Sequence, residues 1–335
     1  MKTVAALVIA LTASPSAVHA QVEVISRMFA ATSDGPFITY SWGEHWTRLR
    51  PDVRGLAGEV DVFLCLGPAV YAGGTAGVFV SDDFGENYRR VERWPADAGA
   101  VTSFHAARLF ALEPTVFAGT ANGLYRSKDG GWEWTRVGAG EIASAVREIV
   151  WPGPELFVAT DAGLYRTTNE GERFVRLERA PQAPVISLAI SRFFGIEPTL
   201  FAGTRGMGLH KSTDGGAKFV AVGGDTLARA TVHALFWWES LLLVGTDEGL
   251  FLSDDGGRRF RAVKELAGVP VLAISVPAAE SGGGSEVIVG TSTGVLKSSD
   301  GAQTFRRVHE GLGRPAVEHL ATFPMPVQDR ERRRD

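Results

Sequence analysis

The stretch VFAGTANGLYRSKDGGWEWTRV, Val116 to Val137, is the unit from which this chain is built, because its pattern returns six more times with only the polar positions changed. Val116 to Gly119 is apolar and β-prone, Thr120 to Gly123 supplies turn chemistry, Leu124 to Ser127 is a second strand and Trp134 to Val137 begins a third. Between the last two lies Ser127-Lys128-Asp129-Gly130-Gly131, a tight turn. Its carboxylate can accept hydrogen bonds from backbone N–H groups a residue or two onward, and glycine reaches positive φ without a Cβ clash. Trp134 anchors the outgoing strand by burying a large apolar surface. Nothing in that account requires a ligand.

The aromatic residue that closes each turn marks the copies: Trp46, Tyr88, Trp134, Phe174, Phe219, Phe260 and Phe305, at spacings of 42, 46, 40, 45, 41 and 45 residues. This is near the period of a four-stranded propeller blade. The turn cores are SDDFG at Ser81, SKDGG at Ser127, TTNEG at Thr167, STDGG at Ser212, SDDGG at Ser253 and SSDGA at Ser298, with a degenerate first copy, TYSWG, at Thr39. A fourth strand precedes each unit from the second to the seventh, opening with valine and an apolar residue three places on, as in Val146/Ile149 and Val232/Leu235. The first unit has no room for it, yet the pattern appears once more at Val317/Leu320 after the last unit. The sequence therefore predicts an all-β fold: a seven-bladed β-propeller of four-stranded blades, closed by a C-terminal strand completing the first blade, with no open sheet edge at the seam.

At the N-terminus, Lys2 precedes an uncharged apolar run from Val4 to Ala13, and Val18-His19-Ala20 places small residues at cleavage spacing, which predicts a signal peptide over 1–20 and a secreted or periplasmic product. The propeller is expected over 21–326, and QDRERRRD, within a 327–335 tail, is expected to be disordered. No later apolar run is long enough to span a membrane. Without the leader the chain carries 33 Lys+Arg against 38 Asp+Glu, a charge of −5, which argues against a nucleic-acid partner. Its single cysteine, Cys65, has no intrachain partner and lies in an apolar strand, the setting of a small buried hydrophobe.

The motif S-x-D-x-G-x-x-[WFY] resembles the Asp box of the BNR repeat proteins, over roughly residues 22 to 326. That superfamily includes sialidases, xyloglucanase-type glycosidases, sortilin-type receptors and the propeller assembly factors of photosystem II. The resemblance implies that Asp83, Asp129, Asp214, Asp255 and Asp300 turn the chain on the outer rim, away from the functional face. Asn169 and Ser41 depart from the motif, which suggests looser turns in the fourth and first blades.

Sialidase-type chemistry would need a tyrosine nucleophile with an acidic partner, but all five tyrosines occupy repeat positions that other units fill with ordinary residues. Xyloglucanase-type enzymes resemble this repeat and place two carboxylates between two propellers, whereas here there is one ring. His233 and His319 share the innermost strands with Asp61, Glu148 and Glu318 near the channel mouth, but no close-spaced ligand pair supports a metal, and most of these groups are expected to point into blade interfaces. No catalytic residue, metal site or cofactor is therefore assigned. By strand alternation, the blade-entry loops and the second-to-third-strand turns lie on one face and the Ser-x-Asp turns on the other. The expected binding residues are Arg54, Trp94, Asp161, Arg205 and Asp247, on the first of these faces. The predicted function is a monomeric, non-catalytic scaffold for a protein or carbohydrate partner, with an Asp-box glycoside hydrolase as the alternative.

Overall fold

The computed structural model describes residues 27–49, 55–56, 58–107, 110–276, 286–308 and 310–322; the expected leader, Arg54 and the expected tail lie outside these residues. Seven four-stranded antiparallel sheets form a seven-bladed β-propeller. From the axis outward, blade 3 runs Val101–Ala106, Val116–Thr120, Gly123–Ser127 and Thr135–Val137, and blades 2 and 4 to 7 follow the same order along the chain. The innermost strands begin at Val60, Val101, Val146, Val185, Val232, Val271 and Val317, and each packs beside the next around a closed ring. A four-residue helix, Gly224–Leu227, enters blade 6.

Blade 1 is completed from both ends of the chain. Val317–Thr322 pairs antiparallel with Met28–Thr32, placing Met28 opposite Thr322 and Ala30 opposite Leu320. Val317 is fully buried, so the closing strand is part of the core between blades 7 and 1. The backbone groups that an open seam would expose are paired.

The second strand of every blade reads as a continuous apolar run because both its faces are covered. All five residues of Val116–Thr120 are buried: Val116 and Ala118 join the core toward blade 2, and Phe117 joins the core toward blade 4. The glycine that five of the seven blades carry in this strand has the same cause. A Cβ at Gly119 would sit 2.5 Å from Cγ1 of Val146, the valine that opens the next blade, and one at Gly203 would meet Val232 in the same way. Cys65 lies in the core between blades 1 and 2, where burial pushes its thiol well above the usual range.

The Ser-x-Asp turns share one hydrogen-bond plan. The Ser127 hydroxyl donates to Asp129 Oδ1 (2.7 Å) and accepts the Gly131 N–H (2.8 Å), while Asp129 accepts the N–H groups of Trp132 and Glu133 at 3.0 Å each. Asn169 and Ser41 keep the plan with fewer bonds: Asn169 accepts the Arg173 N–H at 3.1 Å and the Ser41 hydroxyl accepts the His45 N–H at 2.9 Å. In both turns, as in that of Asp214, the first amide bonds the backbone carbonyl of the same residue rather than its side chain. The turns also serve as docking points between blades. Arg126 of blade 3 donates to the Glu170 carbonyl in the turn of blade 4 (2.5 Å), and Lys211 of blade 5 donates to the Gly256 carbonyl in the turn of blade 6 (2.8 Å).

Candidate functional site

Every innermost strand carries a β-bulge at its second residue. The register steps from Val60 to Val62, Val101 to Ser103, Val146 to Glu148, Val185 to Ser187, Val232 to Ala234 and Val271 to Ala273, and the closing strand steps from Val317 to His319. A bulge leaves one residue unpaired and re-aims its side chain. The seven residues so released, Asp61, Thr102, Arg147, Ile186, His233, Leu272 and Glu318, all line the central cavity of about 710 Å³. This corrects the expectation that Asp61, His233 and Glu318 point into blade interfaces. Arg147 was not singled out from sequence, although the position following each strand-opening valine would have found it.

The ring has an acidic and a cationic side. Glu318 and Asp61 stand on neighbouring strands, and burial, with the charges of Glu59 and Glu318 adding to it, raises the Asp61 carboxyl above its ordinary range. Farther round, Arg147 makes a two-pronged bond to Asp161 (Nε–Oδ1 2.8 Å, Nη2–Oδ2 2.5 Å). Arg205 reaches the same carboxylate at 3.7 Å. The Arg147 hydrogen bonds, with the Arg147 and Arg205 charges, hold Asp161 below the usual carboxylate range against the opposing effect of its burial. His233 lies beyond, its basicity lowered first by burial, with Asp247 opposing and Arg205 adding to that effect.

Deeper in the cavity the polar groups are consumed by the fold. Glu148 Oε2 accepts the Leu188 N–H of blade 5 at 2.5 Å, and burial pushes its carboxyl up to about 8. His105 Nε2 accepts the Trp151 N–H at 3.2 Å, and burial pushes His105 down to about 4. His319 is likewise pushed down to about 4 by burial. The Ser187 hydroxyl donates to the Val232 carbonyl at 2.8 Å. These groups stitch one blade to the next, and burial favours their uncharged forms. Among the described residues no three His, Cys, Asp or Glu side chains stand together as metal ligands.

The predicted binding residues divide accordingly. Asp161 and Arg205 meet at the cavity mouth, and the extra residue in the Arg205 turn is visible in the bond from the Thr204 hydroxyl to Gly208, one position farther than its counterpart from Thr120 to Gly123. Asp247 accepts the Thr231 N–H at 2.9 Å, so it holds the blade 6 entry in place next to His233. Trp94 does not stand free: its ring packs on Tyr125 and edge-on to Trp134, both at 5.4 Å, as a plug between blades 2 and 3.

No protein-family model matches the sequence, and no curated protein matches it. Solved structures do. YCF48 from Cyanidioschyzon merolae is similar at 14% identity with a TM-score of 0.64, over 84% of this chain and 94% of that one. The GH74 xyloglucanase from Xanthomonas campestris is similar at 14% identity and a TM-score of 0.62, over 90% of this chain and 52% of that one. The extracellular domain of the putative hybrid two-component system BT4673 from B. thetaiotaomicron matches at 14% and 0.61, over 79% of this chain. This chain spans about a third of that protein's length (35%) and about half of the xyloglucanase's. At such identities the likeness is one of fold: the chain is a seven-bladed β-propeller whose structural neighbours include the extracellular domain of a putative hybrid two-component system, YCF48 and a GH74 xyloglucanase.

Proposed function

We propose that this chain is an exported, non-catalytic propeller of the Asp-box type that binds a polar protein or glycan partner at the bulged mouth of its central cavity. The observation that carries this reading is the ring of seven bulged residues, which differ from blade to blade while the framework around them repeats. Opposite charges on opposite sides of one concave opening suit a polar partner and fix its orientation. YCF48, one of the structural neighbours, has been solved bound to a D1 peptide, which supports a recognition role for this architecture. The test is a paired screen of wild type and Arg205→Ala/Asp247→Asn on a peptide array and a glycan array. Hits should weaken at least tenfold in the variant; hits that bind both proteins equally, or no hits, overturn the reading.

A second reading rests on Asp61 and Glu318. Two carboxylates on adjoining strands, one with its proton affinity raised, are the ingredients of acid/base glycoside cleavage. Turnover of xyloglucan or aryl glycosides by the purified protein, abolished by Asp61→Asn without loss of fold, would replace the scaffold with an enzyme.

A further inference from the structure

The face opposite the bulged mouth carries a motif that the blade repeat does not explain. Between first and second strand, the described residues read FALEPT at 110–115 in blade 3 and FGIEPT at 194–199 in blade 5. Blades 2 and 6 make the same connection with two residues, Gly67-Pro68 and Glu239-Ser240, so the fold itself does not require the longer loops. Both are pinned in the same way. Phe110 stands edge-on to Tyr71 at 6.3 Å and Phe194 edge-on to Phe157 at 5.3 Å, each on the preceding blade. The Pro114 and Pro198 carbonyls accept the N–H groups of Gly130 and Gly215, at 2.9 and 2.8 Å, from the Ser-x-Asp turns. The Glu113 and Glu197 carbonyls accept the N–H groups of Thr115 and Thr199 at 2.7 Å.

From these fixed bases two aliphatic side chains project into solvent: Leu112 is 82% exposed and Ile196 89%. Between them, the Pro152-Gly153-Pro154 loop of blade 4 borders a cleft of about 260 Å³ shared with Phe194 and Pro198. Rigid apolar prongs lose little freedom on association.

We propose that the twin loops form a protein-docking surface whose partner presents an apolar patch rimmed by basic side chains. The charge assignment follows from the exposed acid directly after each prong, Glu113 after Leu112 and Glu197 after Ile196. The same acids disfavour an anionic bilayer, where inserting the prongs would carry negative charge into a negative surface. This surface lies across the molecule from the bulged mouth, so its failure leaves the mouth reading intact.

The experiment places a photo-crosslinking amino acid at 112, at 196 and, as controls on the exposed outer strands, at 175 and 220 of the full chain in its source cells. One and the same polypeptide should be captured from 112 and 196 and not from the controls. That polypeptide, purified, should bind Leu112→Ser/Ile196→Ser at least 30-fold more weakly than wild type at an unchanged melting temperature. Glu113→Gln/Glu197→Gln should weaken binding several-fold and flatten its salt dependence. Cross-links to different polypeptides, to a second copy of this chain, to lipid or to nothing overturn the proposal. Sedimentation of the protein with vesicles of phosphatidylcholine and phosphatidylglycerol that is lost in the serine variant also overturns it.

Discussion

The outer and the innermost strands of each blade use their side chains in opposite ways. At the rim, five Ser-x-Asp turns and their two variants at Asn169 and Ser41 repeat nearly the same bonds, and the side chains are spent on backbone N–H groups. At the axis, seven bulges repeat the same backbone irregularity and release seven different side chains into one cavity. Where residues repeat, the fold has consumed them; where the geometry repeats but the residues vary, the side chains face one cavity, and of these Thr102 is tied to the Val146 carbonyl and Arg147 to Asp161. Both regions depend on a closed ring, and the comparison can be broken at several levels.

The largest effect is expected from deleting 314–335, which removes Val317–Thr322 and with it the seventh bulged residue. Burying a valine or leucine side chain is worth about 1.5–3 kcal/mol, so losing Val317 and Leu320 and exposing the edge of Met28–Thr32 should cost about 5 kcal/mol or more. Urea unfolding checks it. An unchanged midpoint would show that the ring, and hence the mouth, stands without its closure.

A smaller effect should come from the stitched interior, and its sign is fixed by direction of shift. Glu148 has a folded pKa raised to about 8, so it keeps its proton between about pH 4.5 and 8 while the unfolded chain has lost it, and stability falls as pH rises through that window. His105 and His319, lowered to about 4, stay neutral when the unfolded chain gains protons, so their contribution falls away as pH drops from about 6.5 toward 4. Stability should therefore peak near pH 6.5. Channel water reaches part of the Glu148 side chain, so the decline from pH 6.5 to 8 should be about 1 kcal/mol rather than the full shift. Thermal melts should show that decline in wild type and not in Glu148→Gln; a decline that survives the substitution would assign it elsewhere.

At the rim, Asp129→Ala should cost about 1–2 kcal/mol, because it removes the acceptor of two amide bonds and one hydroxyl bond. Ser41→Ala, which removes the acceptor of one amide bond, should cost about half as much in the same denaturation assay. Equal losses would show that the amide bonds are not what the turn contributes.

The propeller was legible because its signals are local and repeated. The strand-opening valine, the buried glycine and the Ser-x-Asp turn each recur in sequence, and the orphan strand at Val317 pointed to closure. The mouth was only half legible. Asp161 and Arg205 lie in turns whose face follows from strand alternation, but alternation alone misplaces Asp61, His233 and Glu318. A one-residue bulge reverses the side to which a residue points, and no composition signal announces it. The surroundings of Trp94 were illegible for a related reason: a tryptophan in a loop looks free, while its contact with Tyr125 and Trp134 depends on how two blades meet.

The smallest stability effect, and the sharpest test of the comparison, is expected where the mouth is free of structural duty. Arg205 is half-exposed and meets Asp161 at 3.7 Å, while Arg147 already holds that carboxylate by two bonds. Arg205→Ala should therefore change stability by less than about 0.5 kcal/mol, within the range of ordinary surface substitutions. Arg147→Ala removes the two-pronged bond itself, and because channel water screens the pair it should cost only about 1 kcal/mol. Partner affinity should rank the other way. Arg205 projects over the opening and is not needed to position Asp161, so its loss should subtract directly from binding, while Arg147 is engaged with Asp161 before any partner arrives. Calorimetric titration beside denaturation, on the two variants, reads both quantities. If Arg205→Ala destabilised the protein as much as Arg147→Ala and left binding unchanged, the mouth would be one more structural part of the blades, and the contrast with the rim would disappear.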